Sequence, residues 1–258
     1  TGVSTTGALR NISGTNTFGG AITLGAATRI NSDTGSALTL TGDISGAFAL
    51  TAGGVGSTTI SGVIGTGTGT LTKDGTGTLT LTGANTYEGV TTISAGVLNI
   101  QNDTALGTTA AGTSITSGAA LQLQEGITVG AEALTLNGTG ISNTGALRNI
   151  SGDNTFGGNI TRGSTSRINS DSGTLTLGGT MGGNFATTFG GAGNTTVSGV
   201  ISGNATAAIT KDGTGTLTFS GANNFVGAVA VSAGVLNIQN NTGLGTTAGG
   251  VSVTNGAA

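Results

Sequence analysis

The sequence predicts an all-β fold, a parallel β-helix (β-solenoid) of stacked short coils. Three observations point there: apolar and polar residues alternate in short runs, whole phrases recur at fixed intervals, and a chain with 53 Gly has no Pro. Alternation with a period of two is how a strand with one buried and one wet face reads. A fixed repeat means that one unit is used many times. A coil cannot bury its own apolar face, so stacking must bury it. Pro cannot donate to a ladder, so its absence fits a sheet that uses nearly every N–H.

The alternating runs are 37–41, 77–82 and 133–136, joined by shorter ones at 59–61, 97–100, 121–123 and 127–129. Each ends at Gly, Asn, Asp or a similar turn former. No window carries helical spacing. Strand centres lie about eight to ten residues apart, so three strands and their turns make a coil of about 23 residues and the chain roughly eleven coils. At about 4.8 Å per coil this is a rod of about 50 Å. A sandwich or propeller is the all-β alternative, but a propeller blade needs about 40 to 50 residues.

The phrase Asn16-Thr17-Phe18-Gly19-Gly20 returns from Asn85, Asn154 and Asn223, each time with the numbering advanced by 69. A stronger relation has twice that offset, 138: the stretch 6–14 recurs unchanged at 144–152, 73–80 at 211–218, and 96–102 at 234–240. The chain 1–258 therefore reads as a single β-solenoid repeat region of 69-residue units, duplicated at 138. A deletion near 172–175 is undone by an insertion near 202–207, as expected where a loop absorbs a residue but a coil tolerates no phase shift. Thr1 and Gly2 align with Thr139 and Gly140, and 255–258 with 117–120, so the expectation is a window of a longer array.

The formal net charge is −3, with only 7% of residues charged. No basic footprint for nucleic acid exists. No run of about 18 apolar residues exists either, so no helical insertion into a membrane is expected. Without His or Cys, the usual nucleophilic triads, disulfides and thiolate metal sites have no material. No catalytic, cofactor-binding or metal-binding residue is assigned, no cofactor is expected, and the expectation is a protein that is not an enzyme.

The segment 71–98 reads Leu71-Thr72-Lys73-Asp74-Gly75-Thr76-Gly77-Thr78-Leu79-Thr80-Leu81-Thr82-Gly83-Ala84-Asn85-Thr86-Tyr87-Glu88-Gly89, then on to Ile93, Gly96 and Leu98. This segment resembles the autotransporter-associated β-strand repeat of passenger regions in type V secreted proteins of Gram-negative bacteria. The second copy, 209–236, departs from that pattern at Asn224, Phe225 and 228–230. The resemblance implies a right-handed β-helix displayed outside the cell, and it brings no catalytic or binding residues with it. The expected function is a non-enzymatic, extracellular, structural or adhesive repeat region of an autotransporter-like surface protein. Its expected partners are its own copies, end to end or laterally, and cell or matrix surfaces. The alternatives are a subunit of a self-assembling extracellular filament or sheath and, third, a stalk for an enzyme domain elsewhere in the protein.

Individual residues have modest readings. Lys73-Asp74 and Lys211-Asp212 are expected in turns, with Asp before Gly setting the bend. Arg29 to Asp33, and the copy Arg167 to Asp171, read as a solvated face, since exposed pairs contribute only about 0 to 1 kcal/mol. Phe18, Tyr87, Phe156 and Phe225 read as core or corner fillers. Asn16, Asn85, Asn154 and Asn223 read as turn residues in left-handed geometry. The Ca²⁺-binding nonapeptide pattern lacks its Asp at 53–58. Threonine runs at 66–70 and 76–78 raise ice binding, but strand alternation explains them and they do not recur once per coil.

Overall fold

Along Thr78–Leu81 the side chains of Leu79 and Leu81 are buried, while Thr78 and Thr80 are half-exposed. Ala37–Leu40 and Thr174–Leu177 repeat the same alternation. One face of each strand must leave water, and parallel partners above and below bury it. The computed structural model describes residues 6–254 and 256–258. Thr1, Gly2 and Asn255, on which the alignment of the chain ends rests, lie outside the described residues. The described chain is all-β, with parallel strands stacked as a β-solenoid of about 12 turns. Its helix is a 3-10 turn at Ile141–Asn143. Two compact units form, Thr1–Gln122 and Leu123–Ala258.

Within the first unit the pairing register runs Ile30↔Ala52, Ala52↔Lys73, Lys73↔Ile93 and Ile93↔Ile115. A second inward column runs Leu40↔Ile60, Ile60↔Leu81 and Leu81↔Ile100. The second unit repeats this with Phe189 stacked on Ile168 where Ala52 stacks on Ile30. Leu177, Val197 and Phe219 stack in register, and Phe219 meets Phe189 edge-on at 6.2 Å, a favoured aromatic geometry.

The register corrects the expected coil length. The stacked partners Ile30, Ala52, Lys73, Ile93 and Ile115 follow one another at shorter steps in sequence than the expected coil. Three coils carry Ile30 only as far as Ile93, so the 69-residue repeat is longer than three coils. The recurring phrase therefore changes position: Phe18 ends the strand Thr15–Phe18, whereas Tyr87 lies in the corner between Thr78–Leu81 and Thr91–Ile93. The doubled offset keeps position, because Phe156 again ends a strand, Asn154–Phe156, and Phe225 again lies in a corner. Strand length also differs from expectation. The separate strands Ile22–Thr23 and Thr28–Ser32 of the first copy become one continuous strand, Ile160–Ser170, in the second.

The glycines stack in columns at the corners. A Cβ on Gly75 would run into the carbonyl of Gly54 one coil below, and one on Gly96 into that of Gly75. Gly54, Gly75 and Gly96 also have φ of 105°, 68° and 68°, a region open to Gly at no steric cost. Gly62 stands on Gly42, and Gly83 on Gly62, with the same exclusion of a side chain. Corners in this fold rest backbone upon backbone.

Removing 92–113, the step from Thr91 to its partner Thr113, takes out one whole coil and restores stacking. We expect the product to keep its β circular dichroism and a cooperative melt. Removing only the first half of that segment turns inward residues outward, and the melt should be lost. Equal tolerance of both deletions would contradict this register.

Candidate functional site: a charged ladder and its corner locks

Strand alternation puts Arg29, Asn31 and Asp33 on one face of the chain around Thr28–Ser32. Neighbouring coils complete the row. Arg10 Nε and Nη2 donate to Asp33, at 3.0 and 2.6 Å. Asn31 Nδ2 donates to Asp33 Oδ1 at 2.9 Å. Arg29 Nη2 donates to Asn31 Oδ1 at 3.1 Å, and its Nη1 to Asp74 Oδ2 at 2.5 Å. Arg10, Asp33, Asn31, Arg29 and Asp74 thus form one continuous ladder across four coils. The second unit rebuilds it as Arg148, Asp171, Asn169, Arg167 and Asp212.

The Arg29–Asp74 pair skips a coil. It passes over Gly53, where a Cβ would collide with both Asp74 Oδ1 and Arg29 Nη2; Gly190 serves the same purpose beneath Arg167 and Asp212. The expected solvated face is corrected here. Arg29 pairs with Asp74 and not Asp33, and its side chain is 18% exposed; that of Arg167 is 13% exposed. Partial burial follows because the guanidinium passes over a glycine, where no side chain displaces it. The Arg10 hydrogen bond holds the Asp33 carboxyl below its ordinary range, and Asp33 in turn raises Arg10.

Lys73 occupies an inward position between Ala52 and Ile93 and is 2% exposed. Its Nζ turns to the corner and donates to the carbonyls of Asp74, Gly75 and Ala95, at 2.8, 2.9 and 3.0 Å. Lys211 does the same with Asp212, Gly213 and Ala233. The expected turn is present, with Gly75 and Gly213 in left-handed geometry. The lysine, however, is its internal lock. Burial pushes Lys73 down to about 8 and Lys211 in the same direction, partly opposed by Asp74 and Asp212. Arg162, at the position of Leu24 in the first copy, is another lock. It donates to the carbonyls of Gly182, Gly183, Phe185 and Ser202, and burial lowers it to about 10.

The asparagines correct a further expectation. Asn16, Asn85, Asn154 and Asn223 are absent from the residues with positive φ. Asn85 instead acts as a spare peptide group, accepting from Ile64 N–H at 2.8 Å and donating to Ala105 C=O at 2.7 Å. Asn223 bridges Ile201 N–H and Gly243 C=O in the same way. Asn154 accepts from Ile127 N–H and donates to Ser151 C=O and Asn149 Oδ1. Asn16 donates to Asn11 Oδ1 and Ser13 C=O. Asn85 and Asn223 lie outside the strands, and their amide side chains supply both halves of a peptide partner; Asn16 and Asn154 lie in strands.

Tyr87, Phe156 and Phe225 are fully buried, as expected of fillers, whereas Phe18 is 45% exposed. The strand of Phe18 pairs on one side only, with Ala37–Leu40, among the described residues. A different set of threonines, outside the runs 66–70 and 76–78, recurs once per coil. Thr17, Thr39, Thr59 and Thr80 align and end at Asn99; Thr155, Thr176, Thr196 and Thr218 align and end at Asn237.

All seven Lys and Arg residues are thereby engaged, four in ion pairs with Asp and three on backbone carbonyls. Such an arrangement crosslinks coils. Among the described residues no three His, Cys, Asp or Glu side chains converge as metal ligands, and no helix is long and apolar enough to cross a membrane.

The family model of the passenger-associated-transport-repeat matches residues 71–100 and 209–238. Each segment holds its copy of the buried lysine, the Asp–Gly turn and the bridging asparagine. No curated protein and no solved structure matches the chain. The repeat and the β-solenoid fit the passenger of an autotransporter.

Replacing Asn85 with Ala strands Ile64 N–H and Ala105 C=O in a buried corner, a loss of about 1–3 kcal/mol, measurable by urea unfolding. Because the folded state holds the Lys73 proton less tightly than the unfolded chain, stability should rise with pH from about 8 toward the ordinary lysine value of 10.5. A Lys73→Met, Lys211→Met variant should lose that rise, as read by urea midpoints across this range; an unchanged slope would contradict the burial of the two ammonium groups.

Proposed function

We propose that this chain is a non-enzymatic, extracellular, structural and adhesive repeat region of an autotransporter-like surface protein in a Gram-negative bacterium. The observation that carries this reading is the match of two passenger repeats at equivalent places in a duplicated β-solenoid. The polar inventory supports it, because the cations and the bridging asparagines are spent on holding coils together. Adhesion on this reading falls to the hydroxyl columns. Thr39, Thr59 and Thr80 present hydroxyls at one-coil steps of about 4.8 Å, each able to donate and accept. Such rows suit weak, repeated contacts with a second copy or with a cell or matrix surface, and length supplies the avidity.

The test is display of the chain on a Gram-negative host through a separate outer-membrane barrel. Displaying cells should settle and attach to matrix-coated surfaces faster than the bare host. A Thr39→Lys, Thr59→Lys, Thr80→Lys variant, displayed at equal density, should lose most of the gain, since like charges along the row repel. Settling and attachment no different from the bare host would defeat the adhesive reading.

A further inference from the structure

The chain contains two Asp–Gly peptide bonds, Asp74–Gly75 and Asp212–Gly213, and both sit in ladder corners. This dipeptide is chemically exposed, because Gly offers no side chain to hinder attack by its own nitrogen on the preceding carboxyl. In that reaction the Gly nitrogen bonds to the Cγ of the protonated Asp carboxyl, the Cγ–OH bond breaks, and the hydroxyl leaves as water with the amide proton. The cyclic imide formed then adds water. Opening at the main-chain carbonyl yields isoaspartate, which routes the backbone through Cβ and Cγ and lengthens it by one carbon.

We propose that Asp74 and Asp212 are isoaspartate-forming modification sites and that Arg29 and Arg167 are the positioning residues that hold them unreacted. The carboxyl of Asp74 is drawn out over Gly53 toward Arg29, a residue two coils away, and Arg29 Nη1 grips its Oδ2 at 2.5 Å. Its other oxygen, Oδ1, is buried without a hydrogen-bond partner. The carboxyl's hydrogen bond goes to the guanidinium and not to the turn. Asp212 is gripped through both oxygens by Arg167, at 2.7 Å each. Meanwhile Lys73 Nζ pins the carbonyls of Asp74 and Gly75, so the turn cannot swing its nitrogen toward Cγ. An extra backbone carbon here would break the stack of Gly54, Gly75 and Gly96, where there is no room for a single added Cβ. On the surface-display reading above, where the chain is not renewed in place, the pairing is a chemical safeguard.

The duplication supplies an internal control. Purified protein is incubated at neutral pH and 37 °C for weeks, and isoaspartate at each site is followed by peptide mapping with mass spectrometry. Asn137–Gly138 and Asn255–Gly256 lose ammonia instead and are separated by mass. In Arg29→Gln, Asp74 should isomerise several-fold faster than in the parent while Asp212 keeps its parental rate; Arg167→Gln should show the reverse. Gly53→Ala wedges a methyl between Arg29 and Asp74 with both side chains retained, and it should accelerate Asp74 selectively as well. In urea both sites should react at one common, faster rate. Equal acceleration of both sites in either single variant, or a folded parent that reacts as fast as the unfolded chain, would overturn the assignment.

Discussion

Each coil sits directly on the backbone of the coil beneath it, and that contact governs the rest of the molecule. Parallel strands stack about 4.8 Å apart, which leaves no room for a Cβ where one corner crosses another. Glycine columns such as Gly54, Gly75 and Gly96 meet that constraint sterically. They do not meet it electrically. At a corner the main chain leaves its ladder, and its N–H and C=O groups need partners. Asn85, Asn154 and Asn223 supply those partners for N–H groups, and Lys73, Lys211 and Arg162 for clustered carbonyls.

The charge inventory follows from this. A chain with seven cations engages all of them between coils, and the two ladders are each neutral, with two Arg, two Asp and one Asn. Exposed ion pairs are weak, but these are chained and partly sheltered over glycine, so breaking one member strands its neighbours. What remains for the outside includes the threonine columns and exposed apolar side chains such as Ile12, Phe48 and Val55.

The fold class was readable because two signals agreed. Period-two alternation in runs such as 77–82 marked strands, and exact copies such as 6–14 at 144–152 marked repetition. Coil length was less legible, because turn length leaves no periodic mark; the shorter-period phrase joins a strand end at Phe18 to a corner at Tyr87. The ladder was half legible. Arg29, Asn31 and Asp33 visibly share a strand face, but Asp74 lies two coils on. The clue to it was Gly53 between them, with Arg167, Gly190 and Asp212 as the echo. Lys73 was read from the Asp–Gly beside it, and the alternation that turns Lys73 inward was the overlooked signal. The asparagine bridges were hidden because a turn residue and a peptide mimic look alike in one dimension.

Satisfaction of corner groups by side chains is the central claim, and native-state hydrogen exchange addresses it most directly. The N–H groups of Ile64, Ile127 and Ile201 are bonded to side-chain oxygens of Asn85, Asn154 and Asn223 rather than to backbone carbonyls. If those bridges close the corners, these three amides exchange as slowly as strand amides such as Leu50 and Leu71, opening only with their coil. Exchange at the rate of exposed loop amides would contradict it.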